Sequence, residues 1–346
     1  MTWTVHTPPP PPPAAQAAPG VPAAQAAPAA PAVPAVPAVP AVPGDTGLDV
    51  VTGAFSYSGA AIARALTARG RTVRTLTGHP ERSGDHPGIE ARPLDFDDQL
   101  RLVESLQGAT TLYNTYWVRF ARGRIDHDLA VANSRTLFLA ARRAGVRRIV
   151  HVSITHPGTG SPFPYFRGKA LVERALAESE VPFAVVRPAI LFGGDGVLIN
   201  NIAWLLRHLP VFGVGGDGGY RIRGIHVDDL AELCLTVAAG ADDSVTDAVG
   251  PERPTFNELV SLVRDAVGSR SRIVHVPGDL VPALSSALGL VLHDVLLTKD
   301  EYRAMAAGLA DTDGPATGST RLSTWIAERG DTLGRRYANE LRRHFT

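Results

Sequence analysis

The stretch VTGAFSYSGAAIARAL (residues 51–66) passes from a β-branched run into a helical pattern within a few positions. "LDVV" (48–51) reads as a strand and residues 59–68 as a helix. Between them stand Gly53 and Gly59, with Ser56 midway. A glycine at the strand end permits a tight turn, and one at the helix start lets the helix pack close to a sheet. First-turn amides have no intrahelical acceptor and form an anion cradle. The middle position calls for a small residue, and Ser56 is small and adds a donor, as does Ser58. Gly53, Ala54, Phe55, Ser56, Tyr57, Ser58 and Gly59 are therefore candidate pyrophosphate contacts. With its middle glycine replaced, the motif draws its weight from its place between a first strand and a first helix.

Outward from this loop, strands alternate with helices. "RTVRTL" (71–76), "EARPLDF" (90–96), "ATTLYN" (109–114), "RRIVHVSI" (147–154) and "FAVVRPAIL" (183–191) read as strands, with helices over 127–145 and 165–178. Strands joined by helical crossovers run parallel, which predicts an α/β, doubly wound parallel sheet over residues 47–193. Residues 194–346 read as a smaller, mainly helical lobe. Its helices are expected at 197–208, 227–238, 255–267 and 298–308, with two more near the C-terminus, and short strands in "YRIRGIHV" and "RIVHVP". The glycine-rich "LPVFGVGGDGGYRIR" (209–223) reads as a mobile loop beside a substrate pocket, because no helix start follows it. Residues 1–46, rich in Pro and Ala, are expected to form an extended, solvated tail. "RRYANELRRHF" (335–345) is amphipathic and basic, a surface helix or a docking helix.

Composition narrows the function. The chain has 346 residues, 45% apolar and 20% charged, which suits a packed core. Its 34 basic and 34 acidic residues cancel, so nothing draws it to nucleic acid or an anionic membrane. Cys234 is its single cysteine, expected to be a buried hydrophobe, and no internal disulfide can form. The N-terminus lacks a secretory pattern, and residues 281–297 are interrupted by Pro282, His293 and Asp294 and are too short to span a bilayer. A cytoplasmic location is expected. His151, His156, His226 and His275 lack metal-ligand spacing, so no metal site is expected.

Two regions bear on the nucleotide. The second strand ends without a carboxylate to grip a ribose 2′-OH, while His79 and Arg82 follow, suited to a 2′-phosphate. This favours NADP over NAD, with Glu81 arguing the other way. Asp95 and Phe96 stand where an adenine edge and face would lie, Asp95 having a helix N-cap as its alternative.

The chemistry-bearing stretch is "SITHPGTGSPFPYFRGKALVERAL" (153–176). Tyr165 and Lys169 lie four apart, on one helix face. Of the 34 basic residues only Lys169 and Lys299 are lysines, so a lysine here stands out. An ammonium beside a phenol is expected to lower its pKa and to reach the ribose hydroxyls. Ser153, twelve residues earlier at a strand end, would hydrogen-bond a substrate oxygen as charge develops on it.

Taken together, "TGAFSYSG", "LDF", "HVS", "YFRGK" and "RPAILFG" resemble the short-chain dehydrogenase/reductase superfamily. The resemblance is strongest to its extended and atypical branch, which includes NAD-dependent epimerase/dehydratases and the reductase-like accessory subunit of respiratory complex I. It covers residues 47–275. It implies that Ser153, Tyr165 and Lys169 form the catalytic set, that Pro188 lies near the nicotinamide, and that the C-terminal lobe holds a small-molecule substrate. It also implies that residues 223–250 return the chain to the main domain. Thr115 joins the cofactor contacts on the same ground. The chain departs from the pattern at Ser56, at the bulky Tyr116 and Trp117 of "YNTYW" (113–117), and at the relay asparagine, which Asn133 misses by a turn. Two readings follow: an NAD(P)-dependent oxidoreductase, epimerase or dehydratase, or a non-catalytic NAD(P)H-binding regulator or assembly factor. Helix pairs in such folds often join copies, so a homodimer stays open.

Overall fold

The computed structural model describes residues 47–339 apart from 120, 122, 124 and 195; the Pro/Ala-rich tail lies outside the described residues. Seven parallel strands form the central sheet in the order β10-β6-β5-β4-β1-β2-β3. They are β1 Leu48–Thr52, β2 Thr72–Thr77, β3 Ile89–Pro93, β4 Ala109–Asn114, β5 Arg148–Val152, β6 Phe183–Pro188 and β10 Ser244–Ala248. Helices α2 Gln99–Leu106, α3 His127–Arg143 and α4 Pro164–Ala177 cover one face, where Leu106, Leu137, Phe138, Val172 and Leu176 form a core with Leu112 and Ile149. Helices α1 Tyr57–Ala68 and α6 Val227–Ala238 cover the other, where Ile62, Leu66, Leu230 and Cys234 meet Val51, Val150 and Val186. Burial on both faces explains why these strands read as continuous apolar runs. Cys234 is fully buried, its thiol pushed up to about 12 by desolvation.

The lobe has its own core around Phe192, Leu206, Phe212, Val260 and Trp325. It comprises α5 Val197–His208, α7 Phe256–Ala266, α8 Val281–Leu292, α9 Lys299–Ala306 and α10 Leu322–Arg329. Capping boxes start α7 (Thr255, Glu258) and α9 (Thr298, Glu301), which is why those helices begin where they do. Two short parallel pairs complete it, β7 Ile190–Phe192 with β9 Gly224–His226, and β8 Val211–Gly215 with β11 Arg272–Val276.

Four expectations change. The strand expected over 183–191 stops at Pro188, and residues 190–192 leave the sheet to pair with β9. The glycine-rich segment is not all loop: its first part is β8, held by the register Phe212↔Ile273. Among the described residues one helix, α10, follows α9, while the apolar stretch 281–297 supplies α8 and ends at His293, whose φ of 51° closes the helix. The start of the C-terminal segment, residues 335–339, is not helical, and the remainder lies outside the described residues.

Gly53 has φ 68°, and a Cβ on Gly59 would lie 2.2 Å from the Gly53 carbonyl oxygen and 3.1 Å from that of Thr52. Ser56, by contrast, has φ −108° and ψ 173°, extended backbone open to any residue. Gly59→Ala should therefore destabilise the protein by about 1–3 kcal/mol, while Ser56→Ala should cost at most about 1 kcal/mol through its lost hydrogen bond. Urea unfolding of both variants checks this ordering.

Candidate active site and cofactor groove

A cleft of about 2310 Å³ starts at the 53–59 loop and extends to α5, α8 and α9. At its floor Thr52 acts as a hub: its hydroxyl accepts from the Thr115 amide at 2.7 Å and the Tyr116 amide at 3.1 Å, and donates to Asn114 Oδ1 at 3.2 Å. Thr115 Oγ1 donates to the Thr52 carbonyl at 2.6 Å. These bonds tie the ends of β1 and β4 side by side and leave a groove above them. Asn114 reaches on to His151 Nδ1 at 3.1 Å, so the network continues beneath β5.

The loop residues divide by role. Gly53, Phe55, Ser56, Tyr57 and Ser58 line the cleft. Ala54 is buried, its amide donating to Thr75 Oγ1 at 2.9 Å, and Gly59 is buried as the contact that seats α1. Ser56 Oγ donates to the Gly53 carbonyl at 2.6 Å, which stiffens the turn in place of a third glycine. Tyr57 donates to the Gly193 carbonyl at 2.7 Å, joining the loop to the start of the lobe. Ser58 and Gly59 stand in the first turn of α1, where amides have no intrahelical acceptor. A positive-φ glycine, a helix start with no room for a methyl, and outward amides fit a diphosphate.

At the adenosine end Phe55 stacks on His86, ring centroids 4.4 Å apart and 12° from parallel. His79 lines the cleft with its Nδ1 3.1 Å from Glu81, which leaves that carboxylate engaged. Arg82 also lines the cleft, and no described carboxylate pairs with it. Phe96 lines it and packs against Tyr116 at 4.9 Å. Asp95 is not among the lining residues; its carboxylate accepts from the Asp97 and Asp98 amides at 3.0 and 3.3 Å, and Asp98 caps α2. Asp95 thus closes the turn before α2 through Oδ1, and the helix N-cap expected at Asp95 is Asp98 instead.

Only part of the expected catalytic set faces the cleft. Tyr165 lines it, whereas Ser153 and Lys169 are 4% and 3% exposed. Pro188 is buried at the end of β6, and its neighbours Ala189 and Ile190 reach the cleft instead. Lys169 Nζ donates to the Val152 carbonyl at 2.9 Å and lies 4.6 Å from the Trp117 ring centroid. That indole rests on Gly168, where a Cβ would come within 2.7 Å of it. Trp117 and His127 are stacked at 5.6 Å, and each meets Tyr165 edge-on, at 5.5 and 5.7 Å.

This packing reverses the expected electrostatics. Desolvation raises the Tyr165 phenol above its usual range, Glu301 adds to the rise, and Arg119 opposes it. Burial likewise lowers Lys169 to about 7, against the pull of Glu173. The lysine therefore does not sharpen the phenol in this arrangement; Tyr165 stays protonated. His151, fully buried beside Lys169, is held well below its usual value by desolvation and by that lysine. Trp117 Nε1, His151 Nε2 and Ser153 Oγ are buried without a hydrogen-bond partner among the described residues. Unsatisfied donors beside a cleft are what a polar ligand would complete.

Sequence reasoning singled out Trp117 only as bulk and missed His127, Arg119 and Glu301. The last two form an ion pair at 2.8 Å between residues 182 positions apart, for which no local pattern exists. Asn133, off register for a relay, donates to the Tyr116 hydroxyl at 2.9 Å.

Residues 53–205 match a family described as NAD(P)H-binding. A 4-hydroxy-2-methyl-3-oxo-4-farnesyl-3,4-dihydroquinoline-1-oxide ketoreductase of Stigmatella aurantiaca is 26% identical over 255 residues, 66% of this chain and 75% of that protein. NADH dehydrogenase [ubiquinone] 1 alpha subcomplex subunit 9 of Dictyostelium discoideum mitochondria is 27% identical over 146 residues, 41% of each chain, so less than half of that relative is spanned. The fold matches an NADPH-dependent quinone oxidoreductase of Escherichia coli, solved with NADPH, at a TM-score of 0.67 and 21% identity over 81% of this chain and 99% of that one. The family match thus marks residues 53–205 as an NAD(P)H-binding domain, and the solved structure shares the fold. No described helix is long and apolar enough to cross a membrane.

The burial of Lys169 has a measurable consequence. In the unfolded chain a lysine stays charged to about pH 10, while in the folded protein its pKa falls to about 7. Between those values the unfolded chain holds the extra proton, so this residue's contribution to stability improves as pH rises. Lys169→Met should be more stable than the parent below about pH 7, by on the order of 1–4 kcal/mol, with the gap closing toward about pH 10. Urea unfolding across that range reads it; a gap independent of pH would mean the ammonium is not desolvated.

Proposed function

We propose that the protein is an NADPH-dependent reductase of a small carbonyl compound, with Tyr165 as proton donor. The observation that carries this reading is a phenol held protonated on the wall of a cleft that begins at a nucleotide-binding loop. A phenol carries its proton at neutral pH and can give it up as charge develops on a substrate oxygen, while burial makes it a weaker acid than in water. A bound nicotinamide supplies the hydride. Tyr165 gives its proton to the carbonyl oxygen as that oxygen gains charge. Lys169, near neutrality and bonded to Val152, positions the end of β5 rather than acting as a fixed charge. Arg82 takes the 2′-phosphate, which selects NADPH, because Glu81 is engaged by His79 and no carboxylate stands at the tip of β2. The single, deeply buried thiol of Cys234 suits a reducing compartment such as the cytoplasm.

A second reading, a cofactor-binding assembly factor without turnover, draws on one observation. Lys169 and Ser153 are both shielded from the cleft, with Trp117 lying over the lysine. The complex I subunit among the relatives is in keeping with it.

Tyr165→Phe should lower NADPH-dependent ketone reduction by about 100- to 10,000-fold while leaving NADPH affinity unchanged by calorimetry. Equal loss of both, or of neither, contradicts the proton-donor role. Arg82→Ala should weaken NADPH about 10- to 100-fold and leave NADH affinity as it was; a parallel loss for both nucleotides rules out a 2′-phosphate contact.

A further inference from the structure

The far end of the cleft differs chemically from the cofactor end. From the lobe, α5 contributes Leu198 and Leu205, β8 Phe212, α8 Leu284 and Leu288, and α9 Met305. Among the described lobe residues lining it, the charged ones are Asp300 and Glu301, and Glu301 is already paired with Arg119. The arginines that line the cleft come from outside the lobe: Arg64 is paired with Asp228 at 3.1 Å, Arg119 with Glu301 at 2.8 Å, Arg167 donates to the Ser161 carbonyl at 3.1 Å, and Arg82 stands at the nucleotide end. A phosphate or carboxylate placed in the lobe would lose its hydration and meet acidic neighbours. The cleft's 2310 Å³ is also more than twice the roughly 300–1,000 Å³ of a pocket for one drug-sized ligand, so a second elongated molecule fits beside a dinucleotide. Leu284 at the lip is 55% exposed, apolar surface left wet until something covers it.

We infer that the substrate is an uncharged carbonyl compound with a long apolar chain, its head at Tyr165 and its chain along α5 and α8, an assignment that rests on the reductase reading above. The carbonyl carbon gains a hydride from the reduced nicotinamide, its π electron pair moves onto oxygen, and oxygen takes the Tyr165 proton, which water restores. The product is the secondary alcohol, and the nicotinamide leaves oxidised. The lobe contributes contact area and excludes water, and the absence of a lobe cation among the described lining residues discriminates against nucleotide-sugar and acid substrates.

The test uses the full chain loaded with NADPH and a series of linear methyl ketones, read by displacement of the neutral dye Nile red and, in parallel, by NADPH consumption. Each added methylene should tighten displacement by about fourfold. Leu284→Glu, a change at a half-wet position that leaves the core intact, should flatten that dependence without altering NADPH affinity. A steep dependence in binding with no NADPH consumption keeps the apolar assignment and removes the reductase reading. Affinity flat in chain length, failure of Nile red to bind, or tighter competition by pyruvate than by a long ketone overturns the assignment itself.

Discussion

The contact on which the rest depends is the seating of α1 against the end of β1, where a hydrogen at Gly59 is all that separates the helix from the Gly53 carbonyl. A methyl there would have to lift the helix start and with it the outward-facing amides that define the groove. The same constraint fixes Gly53 in left-handed backbone, and its amide bonds to the Leu76 carbonyl, so the loop is stapled to β2 as well. Because the helix cannot move away, Ser56 need not be glycine: the close approach is made three residues later. Ser56 Oγ, turned back onto Gly53, replaces conformational freedom with a local bond. From that fixed corner Thr52, Asn114 and His151 carry a hydrogen-bonded row under three adjacent strands to the place where Ser153 and Lys169 stand.

Burial, not pairing, governs the chemistry at that end. Tyr165 and Lys169 share a helix face, yet Trp117 packs onto Gly168 between their positions and the ammonium turns to Val152. Each group is thereby shifted toward its neutral form, the phenol up and the lysine down, as desolvation requires of opposite charge types. Two neutral partners make a poorer base than a phenolate beside an ammonium, and the raised phenol is a weaker acid than in water, so its proton moves only to a strongly basic acceptor. The Arg119–Glu301 pair tunes the phenol from the other side, with the carboxylate raising it and the guanidinium opposing.

The parallel sheet was legible because its strands are buried on both faces and carry continuous apolar runs, as in RIVHV of β5 and FAVV of β6. The loop was legible because small residues at fixed offsets have one backbone explanation. β10 escaped notice because SVTDA is short, partly polar and at the sheet edge, where one side needs no partner. β8 reads as loop in the sequence because its glycines mask a strand whose identity comes from pairing with β11, some 60 residues later. In the site, residue type and spacing pointed to Ser153, Tyr165 and Lys169 but said nothing of their shielding. That depends on an indole and an imidazole delivered by the segment after β4, and on an acid from α9, contacts set by tertiary packing alone.

The two ends of the cleft answer to different physics, and the sheet edge joins them. At the 53–59 loop the protein offers first-turn amides and, nearby, the Arg82 guanidinium, which suit negative charge at fixed points. In the lobe it offers leucine, phenylalanine and methionine surface, which grips by area and tolerates variation in shape. A ligand spanning the boundary must be charged at one end and apolar at the other, or be two molecules meeting there. Tyr165 lines the cleft with its ring edge-on to Trp117 and His127, so a phenol able to exchange a proton stands where the polar half gives way to the apolar one.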